Sequence, residues 1–234
     1  MAFTWKTYWH DFVDLIFPRC CEACKEAMVG NEQIICTQCR ATLPRVESDS
    51  VARSAVAAKF VAYKEVTGVA SFLVFTKRGK VQNLLHALKY QNKPEVGVLL
   101  GKMMAQELKE SDGCPAADLI VSVPLHEKRR KERGYNQSDA IAEGLSEITG
   151  IPWSGSMLAR IRYTKSQTGK TKTERQENVK DIFEAVNPQQ IQGKRVILVD
   201  DVLTTGATLE SCLNVLLRAG CDNIHIMTIA AAQQ

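Results

Sequence analysis

The sequence predicts an α/β fold, a parallel sheet flanked on both faces by helices and preceded by a small cysteine-rich module. Three observations carry this. Short, fully apolar runs at residues 119–123 and 196–199 alternate with stretches of helical periodicity. Five of the eight cysteines, Cys20, Cys21, Cys24, Cys36 and Cys39, fall within twenty residues near the amino terminus. The 234 residues are 45% hydrophobic and 24% charged, an ordinary composition for a folded chain long enough to bury a true core in one domain or two.

The elements follow in order. Residues 1–17 place Trp5, Tyr8, Trp9, Phe12, Leu15 and Ile16 three and four apart, the pattern of an amphipathic helix that Pro18 stops. With Lys6 as its one cation, that helix is expected to dock on the protein and not on a membrane surface. The cysteine region runs to Cys39, and the polar, Ser- and Ala-rich stretch 40–59 reads as a linker. The chain is therefore divided into residues 1–50 and 51–234. A short apolar run at 71–75 precedes two helices, 81–88 and 96–108, broken near Pro94. Strand 119–123 ends in Pro124, helix 138–148 is closed by Gly150, and strand 196–199 leads to helix 207–218, which stops at Gly220. Residues 224–230 form the last strand.

No stretch approaches the roughly 18 to 20 apolar residues of a membrane-spanning helix, and the amino terminus lacks the pattern of a secretory signal. A cytoplasmic location is expected, and in a reducing compartment clustered cysteines bind metal more often than they form disulfides. Cys21-x-x-Cys24 and Cys36-x-x-Cys39, eleven residues apart, have the spacing of two knuckles that close a tetrahedron around zinc. Four thiolates leave no open position for water, so the zinc is expected to be structural. Cys20 could replace Cys21, but Cys21 preserves the two-residue spacing. Cys114, Cys212 and Cys221 have no metal spacing and read as small apolar fillers.

The densest chemical signal runs from Val196 to Thr208. Four apolar residues deliver Asp200 and Asp201 to the carboxyl end of a strand, the edge where open α/β sheets bind ligands. Carboxylates there can accept hydrogen bonds from a sugar diol or hold Mg²⁺ through water. Thr204, Thr205 and Thr208 add hydroxyls, Gly206 lets backbone approach closely, and the following helix start offers N–H groups to a phosphate. Acids for a diol beside a phosphate cradle describe a site for ribose 5-phosphate. A P-loop is rejected, because Thr164 stands where the first glycine before Gly169-Lys170-Thr171 is required.

A second segment, 123–137, also leaves the end of a strand, and its Lys128, Arg129, Arg130, Lys131 and Arg133 oppose Glu132 alone within 128–133. A third, 160–180, holds Arg160, Arg162, Lys165, Lys170, Lys172, Arg175 and Lys180 against Glu174, Glu177 and no other acid. The net charge is only 30 − 26 = +4, too little for strong overall affinity for nucleic acid. Gathered on one edge, however, these cations suit a polyanion such as a leaving pyrophosphate.

All thirteen positions from Val196 to Thr208 resemble the motif by which type I phosphoribosyltransferases bind phosphoribosyl pyrophosphate (PRPP). Residues 123–137, with Leu88-Lys89-Tyr90 upstream and Gln167, Arg175, Asn178, Val179 and Phe183 downstream, resemble the signatures of the competence-associated ComF family, many of whose members carry the four-cysteine module. The resemblance implies a type I phosphoribosyltransferase fold that binds Mg²⁺·PRPP and transfers the phosphoribosyl group to an acceptor that the sequence does not reveal. By it, Asp200 and Asp201 hold the ribose hydroxyls. Thr204, Thr205, Gly206, Ala207 and Thr208 hold the 5-phosphate, framed by Val199 and Leu203. Pro124, Leu125, His126, Lys128, Arg129, Arg133 and Gly134 form the pyrophosphate loop, with Arg129 and Arg133 stabilising the departing charge. Residues 163–173 are a candidate lid, with Gln167, Arg175 and Asn178 near it. The resemblance also implies a role in DNA uptake. A non-catalytic, PRPP-responsive protein that handles single-stranded DNA or meets the uptake machinery is the alternative, and a homo-oligomer is compatible with the chain.

Overall fold

A computed structural model describes residues 18–46, 55–161 and 182–232 of the chain. The predicted leader helix, the candidate lid and Gln167, Arg175 and Asn178 lie outside the described residues, as does the boundary drawn between residues 50 and 51. The apolar runs form strands β1 (Val66–Phe75), β2 (Leu119–Ser122), β6 (Arg195–Leu203) and β7 (Asn223–Ala232), and a two-residue strand that the sequence did not predict, β3 (Trp153–Ser154), joins them. They pair in the order β1, β7, β6, β2, β3, and every pair is parallel. Central β6 is apolar on both faces because both are covered. Ile197 and Val199 join one core cluster, while Val196 and Leu198 join the other.

Helices α3 (Lys80–Tyr90), α4 (Pro94–Glu110) and α6 (Gln137–Thr149) contribute to the first cluster. Helix α7 (Ala207–Arg218) builds the second, with an antiparallel ribbon of β4 (Leu158–Arg160) and β5 (Phe183–Ala185). Helices α4 and α6 meet at glycines. A Cβ on Gly144 would lie 2.1 Å from the Val98 carbonyl oxygen, and one on Gly101 would lie 2.3 Å from that of Ile141. Only hydrogen fits there, which lets the two backbones touch. Strands β2 and β6 are neighbours, but the helices that follow them, α6 and α7, go to different clusters. Between their carboxyl ends lies the crevice where open α/β sheets bind ligands.

Two expectations change. Residues 40–59 do not form a linker where they are described. Arg40 to Thr42 complete helix α1 (Thr37–Thr42), Leu43 is buried, and Arg45 bridges to Leu73 of β1. The Val74 amide donates to the Pro44 carbonyl at 2.9 Å and the Val46 amide to that of Phe72 at 3.1 Å. Ala55–Val61 is helix α2, which buries Ala57 and Phe60. The alanines that suggested a linker are good helix formers. The second change is that residues 127–133 are not loop but helix α5 (Glu127–Arg133), closed by Gly134 at φ 81°.

The cysteine module packs on the sheet domain without an intervening gap. Ala23, Ile35 and Leu43 share one buried cluster with Leu73, Val81 and Leu84. Asn83 of α3 donates to the Ala23 carbonyl at 2.8 Å, Lys80 to the Thr42 hydroxyl at 2.9 Å, and Lys93 pairs with Glu22. No helix among the described residues is long and apolar enough to cross a membrane.

Candidate functional site

The four predicted ligands Cys21, Cys24, Cys36 and Cys39 converge, with their sulfurs all within 4.8 Å of one another. Tetrahedral zinc with bonds of about 2.3 Å separates its sulfurs by about 3.8 Å, and Cys24 and Cys36 already stand 4.0 Å apart. Backbone amides orient the cage, that of Cys36 donating to Cys21 Sγ at 3.3 Å and that of Cys39 to Cys36 Sγ at 3.4 Å. The donor set fits zinc. Exposed Cys20 lies outside the cluster, and its thiol donates to the Pro18 carbonyl at 3.5 Å. Cys212 and Cys221 are buried in the second core cluster, as fillers should be, while Cys114 is only half-buried.

The acidic pair stands on β6, which runs on to Leu203 instead of ending at Val199. Asp201 Oδ2 meets the Lys89 ammonium of α3 at 2.8 Å. Asp200 Oδ1 accepts from the Ser138 hydroxyl at the start of α6 at 3.1 Å and from the Asp201 amide at 2.9 Å. Burial, then the adjacent Asp201 charge, push the Asp200 carboxyl up to about 7 against the pull of these hydrogen bonds and of Lys89. Beyond Leu203, Thr204 and Thr205 are exposed, and Gly206 turns the chain at φ 75° into α7. That left-handed turn favours glycine. No side-chain oxygen caps α7, so Ala207 and Thr208 open a helix whose first N–H groups face the crevice end of the sheet. Lys59 of α2 donates to the Thr205 carbonyl at 3.1 Å.

On the neighbouring strand, α5 sorts its cations. Lys128, Arg130 and Lys131 are exposed, and Lys131 pairs with Glu127 at 2.7 Å. Arg129 and Arg133, four residues apart and so on one face, are half-buried. Arg133 donates to Gln137 at 2.7 Å and lies 5.3 Å from the centre of the Tyr90 ring. His126 accepts the Lys128 amide at its Nδ1 at 3.1 Å, a helix-capping arrangement. Buried Asn136 ties the loop to its strand through the Val123 carbonyl at 3.0 Å, and the Tyr135 hydroxyl donates to the Leu88 carbonyl.

The fold thus brings the acidic strand end, the threonine loop and the basic helix to one edge of the sheet. Sequence reasoning missed Ser138 and gave no role to Lys89, although Lys89 lay in a recognised signature. Arg160, named only as the start of a basic segment, is a half-buried member of the surroundings. Its guanidinium lies 5.4 Å from the Phe183 ring centre, and burial, then the charge of Arg129, lower its pKa.

Residues 95–234 match the family model described as the phosphoribosyl transferase domain. The chain belongs to that family. A DNA utilization protein YhgH of Salmonella typhi is 35% identical over 146 residues, which cover 61% of this chain and 63% of that relative. Competence protein F of Haemophilus influenzae is 31% identical over 153 residues, 64% of this chain and 67% of its own. Competence protein ComFC of Bacillus subtilis is 38% identical over 102 residues, 44% of this chain and 39% of its own. With the four-cysteine cluster, these relatives make it a ComF-type member.

Proposed function

We propose that this protein binds Mg²⁺·PRPP in the crevice between β2 and β6 and transfers its phosphoribosyl group to a nucleophilic acceptor. The bond from the anomeric carbon to pyrophosphate breaks as the bond to the acceptor forms, the pyrophosphate departs with the bonding electron pair, and the acceptor releases its proton to solvent. The observation that carries this reading is the juxtaposition, across adjacent parallel strands, of the Asp200–Asp201 pair and the half-buried Arg129 and Arg133 of the helix that follows β2. The carboxylates accept hydrogen bonds from the ribose hydroxyls. The threonine loop and the first N–H groups of α7 hold the 5-phosphate. The two arginines oppose the charge that grows on the leaving group, and Mg²⁺ bound with PRPP supplies further positive charge there. The zinc module is structural.

A second reading rests on the relatives' names, which speak of DNA utilization and competence. In it the protein binds PRPP without turnover and acts in DNA uptake. Incubation with PRPP, Mg²⁺ and a panel of nucleobases and amines, with pyrophosphate release as the readout, separates the two. Release with an acceptor supports transfer. Tight PRPP binding without release from any acceptor supports the second reading.

A further inference from the structure

The last turn of α3 touches the candidate site at three points. The Leu88 carbonyl accepts from Tyr135 at the end of the basic loop, the Tyr90 ring lies under Arg133 of α5, and Lys89 reaches Asp201 of β6. Neither end of the Lys89–Asp201 pair is an ordinary surface charge, with the side chains only 25% and 15% exposed. An ion pair between exposed side chains would be nearly idle; a half-buried one beside a second carboxylate is not. Asp200 and Asp201 are consecutive, Lys89 bears on Asp200 as well, and among the described residues Arg160 from β4 and Cys212 from α7 also interact with it. Two unshielded carboxylates at this point would repel each other and any ligand that carries several phosphate charges.

We propose that Lys89 is a positioning residue for the strand-end carboxylates, neutralising and orienting Asp201 so that the pair accepts the diol of a phosphorylated ribose. This deepens the phosphoribosyl reading above and rests on it. Lys89 acts on the sugar through Asp201 and makes no contact with the pyrophosphate, whose place is on the basic helix across the crevice. Its effect is therefore confined to ligands that carry the sugar.

The test is calorimetric titration of the full-length wild type, Lys89→Met and Lys89→Arg with ribose 5-phosphate and, separately, with inorganic pyrophosphate. Lys89→Met is expected to weaken ribose 5-phosphate by about tenfold, the equivalent of about 1.4 kcal/mol, and to leave pyrophosphate unchanged within about twofold. Lys89→Arg, which keeps the charge, is expected to recover most of the loss. Should Lys89→Met fail to fold by circular dichroism, Lys89→Gln takes its place. Equal weakening of both ligands, or ribose 5-phosphate binding that is unchanged or tighter, overturns the role of Lys89 and leaves the phosphoribosyl reading standing. A wild type that binds neither ligand overturns that reading, and the role of Lys89 with it.

Discussion

Asp201 meets Lys89 at 2.8 Å, whereas Asp200, one residue earlier, is bonded by Ser138 and by the backbone and interacts with Arg160 and Cys212. The sequence treats the two acids as an equivalent pair, since adjacency on a strand end was all that could be read. Which neighbour each acquires depends on α3, α6 and β4, elements distant in the chain, and no local pattern carries that information. The raised pKa of Asp200 has a consequence for stability. Its carboxyl titrates at about 7 in the folded protein and near 3.9 when unfolded, so the folded state holds the proton more tightly. The stabilisation is complete below the unfolded value and is lost as pH rises through about 7. Asp200→Asn is therefore expected to raise stability at pH 8 by about 1 to 3 kcal/mol and to change it little at pH 4. Denaturant melts at the two pH values check this, and equal effects at both would contradict it.

At the scale of elements, the zinc ligands were the most legible part of the site, because two knuckles fix their own geometry locally. The basic helix α5 was read as loop. Its run of Glu, Lys and Arg has good helix propensity, but without buried residues it shows no apolar periodicity, the signal on which helix assignment rests. Residues 40–46 misled for the converse reason. Their polar composition reflects the exposed side of a segment whose backbone is bonded to β1. Since the module shares its buried cluster with α3, a metal held by its four cysteines would be coupled to the fold. The purified protein is expected to hold one zinc, and its removal by a strong chelator is expected to lower the melting temperature by at least about 5 °C. Metal analysis and a thermal melt decide this; a chain free of zinc that melts at the same temperature would remove the metal from the fold.

Across the whole molecule, the α/β class and its covered parallel sheet followed from apolar runs between helices, and the long strands only lengthened those runs. The strand order was not legible, because it depends on which faces α6 and α7 take. That order is what makes the site. With β2 beside β6, a basic helix and an acidic strand end that stand about 70 residues apart in sequence open onto one crevice. The mild net charge of +4 hides this separation of cations from acids. Titration of the wild type and of the double variant Asp200→Asn with Asp201→Asn with Mg²⁺·PRPP tests whether that crevice is a PRPP site. Saturable binding by the wild type and its loss in the double variant, with the variant still folded, is the expected result. Equal binding by both proteins, or none by the wild type, would contradict it.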